Sequence, residues 1–583
     1  MSHWTLHLGE GPLPDRALIG GKAWSIARMS ELGLPVPPAF VITTHACNAY
    51  QTGSAFPPGL EEEVAAGITW LEAKTGRTFG YGPAPLLVSV RSGAAISMPG
   101  MMDTVLNTGI TPATEAALAA ETGAAAFAHD VHRRYFELYA HIVLKASGVE
   151  FAADGMPESW NAALLAASGK QVPTDARACL HAAIRAVFES WNSRRARRYR
   201  QHNGIADDLG TAVTVQAMVF GNLSATSGTG VLFSRNPLTG EDTPYGEYLP
   251  QAQGEDVVSG RFTPRPLDAM RQIVPDALQR LLQAAATLEQ ANHDMQDIEF
   301  TVQNSELFIL QSRAAKRAPA AALRCAIEMA GDGLIDADTV LRRITPEQLH
   351  NVLAPRLSDA QAATATPVAH GEPACPGVGI GTVVIDPDEA ERRAANGEAV
   401  VLVRATTSPE DVHGMLRARA VVTEQGGATS HAAVVSRALG VACVTGCGLG
   451  TVTALAGQTV TVDATRGRIF RGALEVTVPD TASDPRLAAL QEMIAAHAPL
   501  RVIPAPGDAG TDCVDLDVLP GGDDPANVAR LLGGTRVAAG RVLATDAGMR
   551  AALAAGVTTV IGTPVLPLLL RAARAALPPA AAN

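Results

Sequence analysis

The chain has 583 residues, enough for about four domains or fewer large ones, each able to bury a core of its own. Hydrophobic residues at 47% and charged residues at 18% exclude a disordered chain. Forty-six basic against 58 acidic residues leave a net charge of −12. That argues against a nucleic-acid partner, which needs a basic face, while leaving room for a local basic pocket that holds one nucleotide.

The first residues lack a basic segment followed by an apolar one, so no signal peptide is expected. From Leu18 to Thr44 the text reads Gly-Gly-Lys, then an amphipathic helix, then a short strand AFVIT. Residues 60–75 and 112–200 carry helical spacing, and between them PLLVSVRSGAAISMPGMMDTVLNTG predicts a strand running into a Gly/Ser/Met loop. From Thr211 strands follow: TAVTVQAMV, GTGVLFS and EYLPQAQGEDVVSG, with Gln253-Gly254-Glu255-Asp256 read as a polar loop after a strand. A helix is predicted over about 275–292. Then comes a hairpin, DIEFTVQ-NSE-LFILQSR, with alternating apolar residues around an Asn-containing turn. Residues 316–365 read as helical and carry no motif.

A compact α/β unit is expected from about Pro367 to Pro479, with EAVVLVRA and RAVVTEQ as strands and HAAVVSRALG as a helix closed by Gly440. After about 480 a last αβ segment follows, with an acidic, turn-rich stretch GDAGTDCVDLDVLPGGDDP read as a strand between loops. The most apolar stretch, 551–570, is broken by Gly556, Gly562, Pro564 and Pro567 and reads as αβ core rather than a membrane span. Seven sparse cysteines are no disulfide framework. The closest pair, Cys443 and Cys447, lacks the second pair or nearby His that zinc needs, and Cys513, Asp515 and Asp517 read as structural. A soluble, cytoplasmic protein is the expectation.

Three constellations carry chemistry. In Gly426-Gly427-Ala428-Thr429-Ser430-His431, Thr429 or Ser430 can cap the helix that follows. His431 then stands at a helix start, where free N–H groups and the dipole favour an anion, and can carry a phosphoryl group as nucleophile. The plainer reading is a capping loop with an incidental His. Lys22 behind Gly20-Gly21 and Arg91 behind a strand are the cations a triphosphate needs, or two solvated charges near turns. The Met-rich loop 97–104 suits an adaptable lid, or is a buried turn. In the hairpin, Asp297 and Glu299 fall on one strand face and Gln311 and Arg313 on its partner. Oxygen donors of that kind suit Mg²⁺, and the alternative is an exposed polar face.

Taken in order, the Gly-Gly-Lys start, SVRSGAAISMPGMMDTVLNTG, TAVTVQAMVFGN…TSGTGVLFSRNP, YGEYLPQAQGEDVVSG, DIEFTVQ…LFILQSR and GGATSHAAVVSRALG resemble the pyruvate, phosphate dikinase family over roughly residues 15–475. SMPGMMDT and TSGTGV…RNP point there rather than to phosphoenolpyruvate synthase or rifampin phosphotransferase. The resemblance implies a multidomain α/β and α+β chain. Its parts are an ATP-grasp nucleotide-binding domain with a helical insertion (1–315), a helical linker (316–366), a swivelling phosphohistidine domain (367–479) and a small αβ segment (480–583), read as a barrel remnant or a new domain. It implies that Lys22, Arg91, Thr229, Glu255, Asp297, Glu299, Gln311 and Arg313 line a MgATP site, with Glu299, Gln311 and then Asp297 as Mg²⁺ ligands, and that His431 is the phosphocarrier. In such a dikinase, ATP pyrophosphorylates the His, inorganic phosphate takes the terminal phosphoryl group, and phosphohistidine, AMP and pyrophosphate result. Neutral imidazole must attack, so the reaction is expected to weaken below a pH near 6.5.

The family ends in a (β/α)₈ barrel that binds pyruvate. Such barrels need roughly 250 residues, against about 110 here after 476, and no acceptor motif is evident in them. Three readings follow: a dikinase half whose acceptor station lies on a partner chain, a stand-alone kinase of another small molecule, and a nucleotide-binding regulatory protein without turnover. The retained Lys22, Arg91, Glu299, Arg313 and His431 argue against the last. Linkers that act as hinges are expected around the carrier domain. The acceptor, a homodimer, and Thr429 as a regulatory phosphorylation site (as in some plant relatives) stay open.

Overall fold

The computed structural model describes residues 3–578 apart from 97, 99–101, 259–261, 354–355, 358–360, 362–363, 478–483 and 505–512. Two antiparallel five-stranded sheets build the first half. The first runs in the order Thr5–His7, Ala39–Ile42, Ala212–Ala217, Val88–Gly93, Thr104–Thr108. Its three central strands are buried almost throughout, one face under helices of the 112–203 insertion, among them Ala125–Leu138 and Ala176–Ser190, the other under helix Arg16–Glu31. Phe40, Val90, Tyr135, Ile184 and Phe188 share one core there. The second sheet runs Arg265–Pro266, Tyr245–Pro250, Gly228–Phe233, Gln296–Gln303, Glu306–Ala314. The last two strands are the expected hairpin, turning through Asn304 and Ser305, both at positive φ. Helix Pro275–Asn292 packs Leu278, Leu281 and Leu288 against Ile298, Phe300 and Ile309.

The helix expected behind Gly-Gly-Lys spans Arg16–Glu31 but breaks at Gly20, which sits at φ 76°, ψ 161°. A Cβ on Gly20 would lie 2.0 Å from the Gly93 carbonyl oxygen, and the Gly21 amide donates to the Ala94 carbonyl at 2.8 Å. Glycine therefore lets the helix start press against the end of the Arg91 strand, which brings Lys22 and Arg91 to one place.

The strand expected in 247–260, with Gln253–Asp256 as a polar loop after it, ends at Pro250. Gln251 adopts φ 52°, and Gly254–Val258 turns helical, with the Gln253 amide donating to the Asp256 carboxylate. That side-chain turn competes with the ladder and wins. In the Met-rich loop, Met98 is buried with Trp191 and Ala196 and Met102 packs on them, so these two form a packed turn rather than exposed lid residues. Residues 97 and 99–101 lie outside the described residues.

An eight-stranded mixed sheet occupies 369–471. Its centre is parallel, Val378–Val384, Val400–Arg404, Ala420–Thr423, Ala442–Thr445, and antiparallel strands flank it. Residues 316–365, read as wholly helical, also contain the short strand Arg356–Leu357, which pairs antiparallel with Val476–Thr477. The chain thus enters and leaves the eight-stranded unit through one two-stranded ribbon. The last segment holds a parallel four-stranded sheet, Arg501–Ile503, Thr559–Ile561, Val537–Ala539, Cys513–Asp515. Two of its helices, Pro485–His497 and Val565–Ala576, do not pack on that sheet alone. Leu487, Leu490, Ile494, Leu570 and Ala573 join Leu323, Met329, Val340 and Leu341 of the linker helices, and Phe233 and Met295 of the second sheet, in one core. Among the described residues, no helix is long and apolar enough to cross a membrane.

Candidate active site

The two first-half sheets bring Lys22, Arg91, Asp297, Glu299, Gln311 and Arg313 together. Arg91 Nη2 donates to Glu299 Oε2 at 3.2 Å and to Gln311 Oε1 at 3.3 Å, so one guanidinium gathers oxygens from both hairpin strands. The register places Glu299 opposite Gln311 and Asp297 opposite Arg313. Arg313 Nε donates to Asp297 Oδ2 at 2.8 Å. Asp297 is 2% exposed and its Oδ1 has no partner.

The electrostatics follow from three cations around two carboxylates. Burial pulls the Lys22 ammonium down to about 7, and Arg91 and then Arg313 add to the effect against Glu299. Burial pushes Glu299 up, but Arg91, Arg313 and Lys22 outweigh it and hold the carboxyl below its ordinary value. Asp297, followed by Glu299, raises the Arg313 guanidinium against its burial. These groups are therefore a charged, partly buried cluster suited to a polyanion. The oxygens of Glu299 and Gln311 converge on one donor, and Asp297 keeps a buried oxygen unused. That donor set fits a hard cation such as Mg²⁺.

Thr229 lies on the same sheet face, opposite Thr301, one step along from Glu299. Its hydroxyl is occupied, donating to the Phe300 carbonyl at 3.0 Å. Glu255 sits in the short helix Gly254–Val258, near Thr229 rather than within the Arg91 group; Gly254 is the link, since a Cβ on it would meet Thr229 Oγ1 at 3.9 Å. Beside Glu255, Asp256 Oδ1 accepts from Arg134 Nη1 at 2.9 Å, and Arg134 Nε also binds Asp130. Sequence reasoning missed Arg134, which lies in the insertion more than a hundred residues from its partner and in no motif.

His431 opens helix His431–Leu439 as expected. Ser430 caps it, accepting from the Ala433 amide, and Gly440 closes it at φ 67°. The eight-stranded unit is docked on the first half on several sides of this helix. Thr429 Oγ1 donates to Glu247 Oε2. Glu372 accepts from the Tyr245 hydroxyl at 2.8 Å. Val412 packs on the Met98–Trp191–Ala196 cluster. Arg437, one turn and a half beyond His431, lies over the Phe233 ring at 5.4 Å and donates to the carbonyls of Ala428, Ala374 and Lys316. Burial raises the Glu247 carboxyl, and the Thr429 hydroxyl works against it.

His431 Nε2 is buried without a partner. Burial lowers its basicity, while Asp411 and Ser408 oppose that only in part. The imidazole therefore stays neutral below pH 6.5, so any loss of nucleophilicity falls at a more acid pH than the sequence implied.

Comparison with known proteins agrees with this layout. Residues 16–55 and 52–271 match the family model "Pyruvate phosphate dikinase, AMP/ATP-binding domain", and residues 396–467 match "PEP-utilising enzyme, mobile domain". The chain is 44% identical over 468 residues to pyruvate, phosphate dikinase 2 of Zea mays, covering 76% of this chain and 53% of that protein. It is 40% identical over 511 residues to pyruvate, phosphate dikinase of Clostridium symbiosum, covering 82% and 58% respectively. The chain thus spans little more than half the length of these relatives.

Proposed function

Because the chain belongs to the pyruvate, phosphate dikinase family, we propose that it is a dikinase-type phosphotransferase which uses MgATP and inorganic phosphate to phosphorylate His431, releasing AMP and pyrophosphate. The observation that carries this reading is the docking of the eight-stranded unit on the first half through Thr429–Glu247, Arg437–Phe233 and Val412 on the Met98–Trp191–Ala196 cluster, with His431 Nε2 unpartnered. In this reading residues 1–315 bind nucleotide, 316–366 link, 367–479 carry the phosphoryl group and 480–583 form a small αβ segment packed on the linker and the second sheet. The phosphoryl group passes to pyruvate or another acceptor on a partner chain, in the cytoplasm.

Glu299 and Gln311 would hold Mg²⁺, with Asp297 beside them; the ion supplies charge neutralisation on the phosphates. Arg91, Arg313 and Lys22 offset the charge that spreads over the phosphoryl oxygens. Thr229 and Glu255 would lie toward the other end of the bound nucleotide. His431 Nε2 attacks the β-phosphorus, the bond from that phosphorus to the oxygen it shares with the α-phosphate breaks, and AMP leaves with the electron pair. Inorganic phosphate then takes the terminal phosphoryl group as pyrophosphate.

With Mg²⁺, phosphate and ATP labelled at the β position, acid-labile label should appear on the wild-type chain. His431→Ala should abolish AMP formation and leave ATP affinity within about twofold. AMP and pyrophosphate formed at the normal rate in that variant would sink the carrier role. Adding pyruvate to the labelled chain, and looking for phosphoenolpyruvate, tests whether the acceptor step needs a second chain.

A further inference from the structure

The groups assigned to MgATP come from two separate sheets. Lys22 belongs with the first: its helix leads into strand Ala39–Ile42, and a Cβ on Gly93, two residues beyond Arg91, would lie 3.5 Å from Lys22 Cβ. Gln311 and Arg313 stand on Glu306–Ala314, the outer strand of the second sheet. An outer strand presents main-chain N–H and C=O groups that no further strand satisfies. Helix Arg16–Glu31 covers this one, with Ile26 and Met29 in one core with Leu307 and Ile309. Ser25 supplies the missing partner. Its hydroxyl donates to the Ser312 carbonyl at 2.6 Å and accepts from the Ser312 amide at 3.0 Å. Further along, the Ile309 amide donates to the Pro35 carbonyl at 2.8 Å. Ser25 is 6% exposed, and its one proton goes to a residue 287 positions away. A serine inside a helix ordinarily returns that proton to the carbonyl four residues back, as Ser30 does to Ile26 at 3.0 Å. The Ser312 hydroxyl is engaged elsewhere, donating to Gln296 Oε1 at 2.9 Å.

Ser312 stands between Gln311 and Arg313 in the chain, and Ser25 stands one helical turn, about 4.5 Å along the axis, from Lys22. We propose that Ser25 is a positioning residue for phosphoryl transfer: by bonding both main-chain groups of Ser312 it fixes the Lys22 helix on the hairpin edge and sets the spacing of the Lys22 ammonium from Gln311 and Arg313. This rests on those groups being the MgATP site. Arg91 makes a second polar tie between the sheets, through Glu299 and Gln311. A triphosphate competes for that guanidinium, so the Arg91 tie weakens as nucleotide enters. The Ser25 tie runs to main chain, for which no phosphate competes, and it persists through binding. Phosphoryl transfer depends almost wholly on positioned charges, and a misplacement of about 1 Å can cost about a hundredfold in rate. Ser25 answers that demand without touching the substrate.

Two measurements on the full chain test this. Hydrogen exchange of the peptide Glu306–Ala314 reads the tie, and single-turnover labelling from saturating MgATP labelled at the β position reads its effect. Ser25→Ala should add about one fast-exchanging amide to that peptide and slow labelling at least about tenfold. Ser25→Thr keeps the hydroxyl and should hold both close to wild type. Ile26→Val trims the same helix beside Ser25, and should lower the melting midpoint while leaving the labelling rate unchanged. Ser25→Cys keeps the volume and weakens both bonds. It carries the test if the alanine variant does not fold, since labelling at the wild-type rate in it would then overturn the proposal. A wild-type labelling rate in Ser25→Ala, with or without the added exchange, overturns it, and so does equal slowing by Ile26→Val, which would make the effect one of packing. If the wild-type chain takes no label at all, the carrier reading fails instead. MgATP affinity then decides what Ser25 does: it should fall at least about threefold in Ser25→Ala, and an unchanged affinity would overturn the role in spacing the cations.

Discussion

Lys22 stands with Arg91 and Arg313 around Glu299, and burial lowers its ammonium to about 7. A triphosphate placed there favours the charged form and raises that value again. ATP binding at pH 8 should therefore take up close to one proton, about nine-tenths of the Lys22 population being neutral beforehand. Calorimetry in two buffers of different ionisation heat measures this uptake. Lys22→Met should remove it, and uptake that persists in that variant would mean another group is responsible. The same reasoning separates the two carboxylates of the hairpin. Glu299 shares its oxygen with a cation that can turn toward phosphate, whereas Asp297 is committed on one side to Arg313 and buried on the other.

Among the elements, the helix behind Gly20 shows why short motifs are legible. Gly20 is required twice over, by its φ of 76° and by the Gly93 carbonyl where a side chain would sit. Gly20→Ala should cost about 1–3 kcal/mol from conformation alone, with the clash on top, and weaken ATP binding. Gly21→Ala, whose Cβ meets Arg16 and Ala94 only at 3.4–3.5 Å, should be tolerated. Denaturant midpoints of the two variants check the contrast, and equal midpoints would refute it. The Gly-Gly-Lys start, the Asn-turn hairpin and the Ser430-capped helix could all be read from sequence because neighbours along the chain set their conformation. At 251–258 the polar loop was legible, but not that a side-chain turn at Asp256 would carry Gly254–Val258 into a helical turn. Thr429–Glu247, Arg437–Phe233 and Arg134–Asp256 were not readable, since each joins residues more than a hundred positions apart and no periodicity encodes such a partner. For the same reason the spacing of helix 485–497 tells which face is buried, not that it meets the linker helices.

On the scale of the whole molecule, that shared core ties the C-terminal unit to the nucleotide-binding half. Leu490 is fully buried in it, so Leu490→Ala should cost about 2–5 kcal/mol. All five tryptophans lie at or before Trp191, so their fluorescence reports the first half alone. A lower melting midpoint in that signal would show that the ends unfold together, and an unmoved midpoint would show that they do not. The eight-stranded unit is held differently. Polar contacts and a few apolar ones seat it, and its entry and exit strands, Arg356–Leu357 and Val476–Thr477, run side by side. For a unit that carries the phosphoryl group as proposed, such a paired strap would give a single pivot and a fixed leash. Its encounters with any station on the same polypeptide become intramolecular, governed by reach rather than by dilution, and handover should proceed as fast in a nanomolar solution as in a crowded one.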